Sequence, residues 1–387
     1  MVGGVKTCST DWSRSVPLNP VVIAFPFLPL AEPVTFGTWW LGPVADFDGP
    51  WAGAALERMG VKYLNSFRDA HGKPISNPAL LASIDDGVTG ARPEDAERAA
   101  VRKAIAFAVI DRNPVCGTTH VSGHRCTTAD NADYWEQPID VDNGSIALER
   151  AGRVTQSIYG LSIADRCFAI AATPETVVSR TPVYLDELIV AALYDILLRA
   201  PADESAERAV RVSTAISWLE KSWLNSMSIG WDDRLVFLKT GFEALTGESS
   251  TPKAMKALVR IFGSAQCQFG SGIGLEGLLW QSTEGTRTRH VKRGSCEVTD
   301  LEHWYGALAD ARNTIVHEGR VPDLCYEESG SPYSGHLVEV GDRVLREAIK
   351  VEIGNLGYPD AWRGPISRAS LAALRHFVEP AGRGEDT

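Results

Sequence analysis

From Pro182 onward the apolar residues return every three or four positions, and that rhythm restricts the C-terminal half of the chain to packed helices. The segment 184–199 carries Leu188, Ala191, Ala192 and Ile196 on one stripe, and 204–227 places Ala209, Val212, Ile216, Leu219 and Trp223 at the same steps. In 233–245 the stripe is Leu235, Leu238, Phe242 and Leu245, with Gly247 placed to end the helix. Further helices are predicted over 252–262, where Pro252 suits a first turn, and over 300–317, 336–353 and 367–378. Asp300 is the expected N-cap of the 300–317 helix. The stretch 263–294 is polar and glycine-rich and reads as a long loop. Helices at this density make a bundle.

The first 180 residues have a different texture. Prolines, glycines and tryptophans separate short apolar runs, of which 21–25, 35–41 and 167–171 read as strands. Residues 93–110 read as a helix with Glu94 and Asp95 in an acidic first turn. The predicted class is therefore α+β: an N-terminal mixed α/β domain over 1–180, followed by an all-α domain over 181–380. A length of 387 residues favours two domains over one core.

Composition narrows the setting. A hydrophobic share of 44% with 22% charged residues is that of a globular protein. The longest apolar run, 21–31, is interrupted by Pro26 and Pro29 and is shorter than the ~20 residues of a membrane helix. No basic stretch leads into an apolar leader at the start, so the expected location is the cytoplasm, with no membrane partner. Seven scattered cysteines, an odd number, do not resemble a secreted disulfide framework. The net charge of −11 opposes general binding to nucleic acid, so any such contact needs a local basic patch.

The residues that most suggest chemistry are Arg312-Asn313-Thr314-Ile315-Val316-His317. On the 300–317 helix, Leu301, Trp304, Tyr305, Leu308, Ala311, Ile315 and Val316 form one stripe at ~100° per residue, and Arg312 falls inside it. An isolated buried charge is costly, so Arg312 is expected either to be paired or to open onto a cleft. Asn313 and His317, four apart, share a neighbouring face. A guanidinium fork matches phosphate oxygens. An imidazole titrates near neutrality and serves as general acid or base. Neither a metal nor a cofactor is required. The same residues also suit an ordinary helix end, where a histidine before Gly319 is favoured by the helix dipole, and spacing alone leaves both readings open.

The segment Ala309 to Gly319 resembles the Arg-Asn-x-x-x-His signature of HEPN domains, helical bundles found in many prokaryotic ribonucleases, toxins and antiphage proteins. A second stretch, Arg234 to Gly247 with Phe242-Glu243-Ala244-Leu245 near its end, is similar to a helix of the ApeA-like HEPN subgroup. The order of helices between the two stretches also matches, and the resemblance covers roughly residues 205–355. It implies metal-independent cleavage of RNA by attack of the 2′-OH. Arg312 would hold the scissile phosphate, His317 would move the proton, and Asn313 would orient the phosphate or the imidazole. It also implies a homodimer, because two such motifs usually face each other, and a sensory or regulatory role for the N-terminal domain in a defence effector. Many family members keep the fold without activity, so the alternative is a non-catalytic module that binds nucleic acid or a partner protein.

Three other groups bear on function. Arg287, Arg289, His290, Lys292 and Arg293 form the best basic patch; they are candidate RNA-phosphate contacts or else solvated loop charges. Cys116, His120, His124 and Cys126 are four soft ligands in one short stretch, but their spacing fits no usual zinc pattern, and a turn-rich loop explains them equally well. Gly270-Ser271-Gly272-Ile273-Gly274 lacks the preceding strand and following Lys-Ser/Thr of a phosphate-binding loop, which excludes a P-loop or dinucleotide reading.

Overall fold

The strand Val21–Phe25 (β1) is buried at all five positions, which requires cover on both faces of its sheet. A computed structural model describes residues 20–68, 73–75, 77–88, 93–112, 129–140, 145–150, 153–162, 183–198, 204–224, 229–269, 287–291, 294–319 and 333–362. In it, β1 joins Val34–Phe36 (β2), Trp39–Pro43 (β3), Ala79–Ser83 (β4), Trp135–Asp140 (β5), Ser145–Arg150 (β6) and Arg153–Ser162 (β7). They form one antiparallel seven-stranded sheet in the order β2-β3-β4-β1-β5-β6-β7. Because side chains alternate along a strand, Val21, Ile23, Phe25, Ala79 and Leu81 face the main core. Val22, Ala24, Leu80 and Ala82 face a second, smaller core shared with the helix Ala54–Leu64 (α1).

The run predicted as one strand over 35–41 is instead the hairpin β2–β3, with Val34 opposite Leu41 and Phe36 opposite Trp39. Gly37 makes the reversal with φ 55, and a Cβ there would run into the Tyr194 ring. The strand expected at 167–171 lies outside the described residues.

The helices follow the three-and-four rhythm closely. They are Asp95–Arg112 (α2), Glu187–Leu198 (α3), Glu204–Ser222 (α4), Trp231–Thr246 (α5), Thr251–Phe269 (α6), Asp300–Glu318 (α7) and Tyr333–Asn355 (α8). The chain is thus α+β, and the helix expected over 367–378 falls outside the described residues. The N-cap of α7 is Thr299 rather than Asp300. Thr299 Oγ1 accepts from the Glu302 N–H at 3.1 Å, and Glu302 Oε2 accepts from the Thr299 N–H at 2.9 Å. This reciprocal pair satisfies two donors at once, which an Asp300 cap would not do. The segment expected as a loop over 263–294 begins with the last turns of α6 and ends in a hairpin, Arg287–Val291 (β8) against Gly294–Val298 (β9).

Helix α8 is the axis of the assembly, with residues 341–354 buried on every face. It nevertheless carries Asp342, Arg346, Glu347, Lys350 and Glu352. Arg346 Nη1 donates to the Ile110 carbonyl at 2.9 Å, and Lys350 Nζ lies 3.1 Å from Asp111 Oδ1. Two cations therefore meet the C-terminal end of α2, where the helix dipole favours them. Asp342 accepts from Arg346 Nη2 and from Trp223 Nε1, each at 2.5 Å. Burial raises the pKa of its carboxyl above the usual range, against the opposing pull of Arg346 and the Trp223 hydrogen bond.

The main core runs through both segments of the chain. Glu97 of α2 accepts from Trp39 Nε1 at 2.9 Å and from the Tyr194 hydroxyl at 2.6 Å, tying the β2–β3 hairpin to α3. The boundary expected near residue 180 falls in the undescribed stretch 163–182. Among the described residues no helix is long and apolar enough to cross a membrane.

Candidate functional site at the end of helix α7

Helix α7 buries Leu301, Trp304, Tyr305, Leu308 and Ala311, five residues of the expected stripe. The stripe then ends. Ile315 is only partly buried and Val316 is 48% exposed, although both were expected to face the core. Residues 316–319 are all exposed, so the last turn stands clear of the bundle in every direction and periodicity no longer implies burial there. The helix closes on Gly319 at φ 64, whose N–H reaches the Ile315 carbonyl.

Arg312 sits where the buried stripe meets this exposed turn. Its side chain is half-buried, and its Nε is shielded from solvent with no hydrogen-bond acceptor among the described residues. Nη1 donates to Asn313 Oδ1 at 3.2 Å. No carboxylate among the described residues lies within ion-pair distance of the guanidinium. Asn313 and His317 are both exposed, so the three residues of the pattern share one solvent-facing helix end. The arrangement offers a charged fork, an amide that holds it, and an accessible imidazole.

Two neighbours position α7. The first is α5, which carries the other quoted stretch. Phe242 stacks edge-on against Trp304 and Tyr305, with ring centroids 5.8 and 5.5 Å apart. Lys239, 3% exposed, pairs with Glu243 at 2.6 Å and places its Nζ 5.5 Å from the centre of the Tyr305 ring. The two helices that carry the family resemblance therefore pack directly on each other, through Trp304 and Tyr305 ahead of the motif. The Tyr305 hydroxyl is fully buried without a hydrogen-bond partner among the described residues. Burial raises its pKa well above the ordinary phenol value, and the charge of Glu243 adds to the rise.

The second neighbour is the β8–β9 hairpin. Arg289 crosses α7, and its Nη2 donates to the Gly306 carbonyl at 3.1 Å and to Asp310 Oδ2 at 2.7 Å. A Cβ built on Gly306 would coincide with that guanidinium, so the crossing depends on the glycine. Of the basic group Arg287, Arg289, Lys292 and Arg293, the described side chain is thus Arg289, and it is engaged with α7 just ahead of Arg312. Arg287 belongs to β8, while Lys292 and Arg293 lie outside the described residues. A glycine inside an amphipathic helix marks a close approach at Gly306, but nothing in the sequence points to Arg289 as the group that makes it.

The cluster Cys116, His120, His124 and Cys126 also lies outside the described residues, as does Gly270 to Gly274. Among the described residues no group of three or more His, Cys, Asp or Glu side chains gathers in a metal-holding geometry. No family model, curated protein or solved structure matches the chain.

Proposed function

We propose that the chain is a HEPN-type endoribonuclease whose site is the exposed end of α7, and that α3 to α8 form its HEPN-like bundle. The observation that supports this most is Arg312: a half-buried guanidinium held by Asn313, without a carboxylate partner among the described residues, on the same helix end as an exposed His317. An arginine kept for structure is usually neutralised by a carboxylate, whereas one kept for phosphate has its fork free to receive it.

In this reading Arg312 binds the scissile phosphate and stabilises the charge that builds on its oxygens during attack. The 2′-OH attacks phosphorus, the bond to the 5′-oxygen breaks, and the products carry 2′,3′-cyclic phosphate and 5′-OH ends. His317 removes the 2′ proton or delivers one to the departing oxygen. The exposed Val316 provides an apolar contact for a second copy, whose own motif would face the first across a homodimer. The hairpin held by Arg289 flanks the RNA path. The test is incubation of the purified protein with mixed RNA in EDTA, beside His317→Ala. Cleavage by the wild type that is lost in the variant supports the proposal. No cleavage at any protein concentration leaves a nucleic-acid or protein-binding module as the better reading, and equal cleavage by the variant removes His317 from the mechanism.

A further inference from the structure

A cleft of about 380 Å³ lies at the end of the bundle where α4, α6, α8 and the C-terminus of α5 meet. None of its lining residues belongs to α7. Its size falls within the ~300–1,000 Å³ of small-ligand pockets. Three arginines from two helices converge on it: Arg208 and Arg211 from α4, and Arg260 from α6.

The three differ in how they are committed. Arg208 grips Glu352 Oε2 through Nε at 3.0 Å and Nη2 at 2.8 Å, and Asn355 holds the other oxygen of that carboxylate at 3.1 Å. Arg211 lies over the end of α5, with Nη1 3.5 Å from the Thr246 carbonyl and Nη2 2.5 Å from Glu207 Oε1. A Cβ on Gly247 would strike that guanidinium, so the left-handed glycine at φ 70 lets it approach. Arg260 is exposed and makes no hydrogen bond or ion pair among the described residues.

Among the described residues Glu352 is the one carboxylate in the lining, which leaves two positive charges there uncompensated by it; Glu207, which clasps Arg211 from outside, reduces that excess to one. Guanidinium groups that line one open cleft repel one another, and an anion bound there relieves that repulsion. This cationic cleft belongs to a chain whose net charge is −11. Leu245 and Ile261 give the same cleft an aliphatic wall.

We infer that this cleft binds a phosphorylated small molecule of about nucleotide size, with its phosphate on the uncommitted fork of Arg260, in the field of the two carboxylate-paired arginines of α4, and its organic part against Leu245 and Ile261. Arginine forks suit phosphate better than a single carboxylate, because each planar fork satisfies two oxygens. The inference is independent of the reading of Arg312 and His317, which do not line the cleft.

The experiment is thermal unfolding and calorimetry of the full chain in chloride buffer with inorganic phosphate, pyrophosphate, AMP, ATP and uncharged adenosine. Pyrophosphate or a nucleotide should raise the Tm saturably, since a ligand that binds only the folded state stabilises it by mass action, and adenosine should not. Arg260→Gln removes an exposed cation that makes no hydrogen bond or ion pair among the described residues, so the variant keeps its fold, and it should weaken the affinity at least about tenfold, as expected for a charge-assisted contact. Arg211→Gln, a second variant, should weaken it as well. Absence of a saturable effect from every phosphate probe at millimolar concentration overturns the inference. So does an unchanged affinity in both variants, or binding of a 5′-phosphorylated RNA oligomer when none of the small phosphates binds.

Discussion

Gly306→Ala tests how the hairpin beside the motif is held. In the middle of a helix, alanine is favoured over glycine by about 1 kcal/mol, so propensity alone predicts a more stable protein. The structure predicts the opposite locally. The new methyl group takes the position of Arg289 Nη1, and the guanidinium must leave. The lost contacts are a charge-assisted hydrogen bond to the Gly306 carbonyl, about 1.5–3 kcal/mol, and an ion pair to Asp310. The Asp310 side chain is 65% exposed, so solvent screening limits that pair to about 0–1 kcal/mol. Set against the gain of about 1 kcal/mol in helix propensity, the net cost is roughly 0.5–3 kcal/mol, concentrated in the docking of β8–β9 rather than in the core. Hydrogen exchange read by mass spectrometry on peptides covering 287–298 measures this directly. The hairpin should lose protection while residues 301–311 of α7 keep theirs. Unchanged protection of the hairpin, together with a gain of about 1 kcal/mol in global stability, would refute the crossing.

Other perturbations reach the axis of the bundle. Arg346→Met leaves Asp342 buried without its cation and should cost about 3–5 kcal/mol in urea unfolding, much of which Asp342→Asn in the same chain should restore. Burial lowers the pKa of Lys350, but the charges and hydrogen bonds of Glu347 and Asp111 outweigh it, so the folded-state value stands above the ordinary 10.5. Its contribution to stability is therefore fully present below that value and is lost as pH rises through the folded-state value. The stability gap between wild type and Lys350→Met should stay constant up to about pH 10 and narrow above it. Thr299→Ala should cost about 1 kcal/mol, visible as a lower urea midpoint with an unchanged slope.

Much of the helical half was legible because burial there has a single period. Leu235, Leu238, Phe242 and Leu245 were read as one face, and all four are buried in α5. The same logic failed at Val316, because the stripe of α7 continues in sequence after the bundle has ended in space. The sheet was harder to read. Strands β4 and β5 give no strand pattern in the sequence, because Ala79 to Ser83 is covered on both faces and shows no alternation, while Trp135 to Asp140 contains Pro138, a residue that argues against a strand. Thr299 and Asp300 are both good caps by residue type, and Glu302 decides between them because it lies three residues after Thr299. Arg312, Asn313 and His317 were visible as a pattern of residue types. Neither the exposure of the helix end nor the crossing of Arg289 over Gly306 could be read from spacing, since both depend on where distant segments finish. The arginine cleft gave no local signal, because Arg208, Arg211 and Arg260 come together only when α4 and α6 pack.

The proposed cleavage depends on a 2′-OH nucleophile and on His317, and one measurement tests both. Single-turnover cleavage in EDTA would be followed on an RNA oligonucleotide that the protein cuts and on the same oligonucleotide 2′-O-methylated at the cut position, using wild type and His317→Ala. The expected outcome is a 2′,3′-cyclic phosphate product from unmodified RNA, no cut at the methylated position, and a rate about 10²–10⁴-fold lower in the variant. Cleavage of the methylated position, or an unchanged rate in His317→Ala, would contradict the assignment of the α7 end as a ribonuclease site.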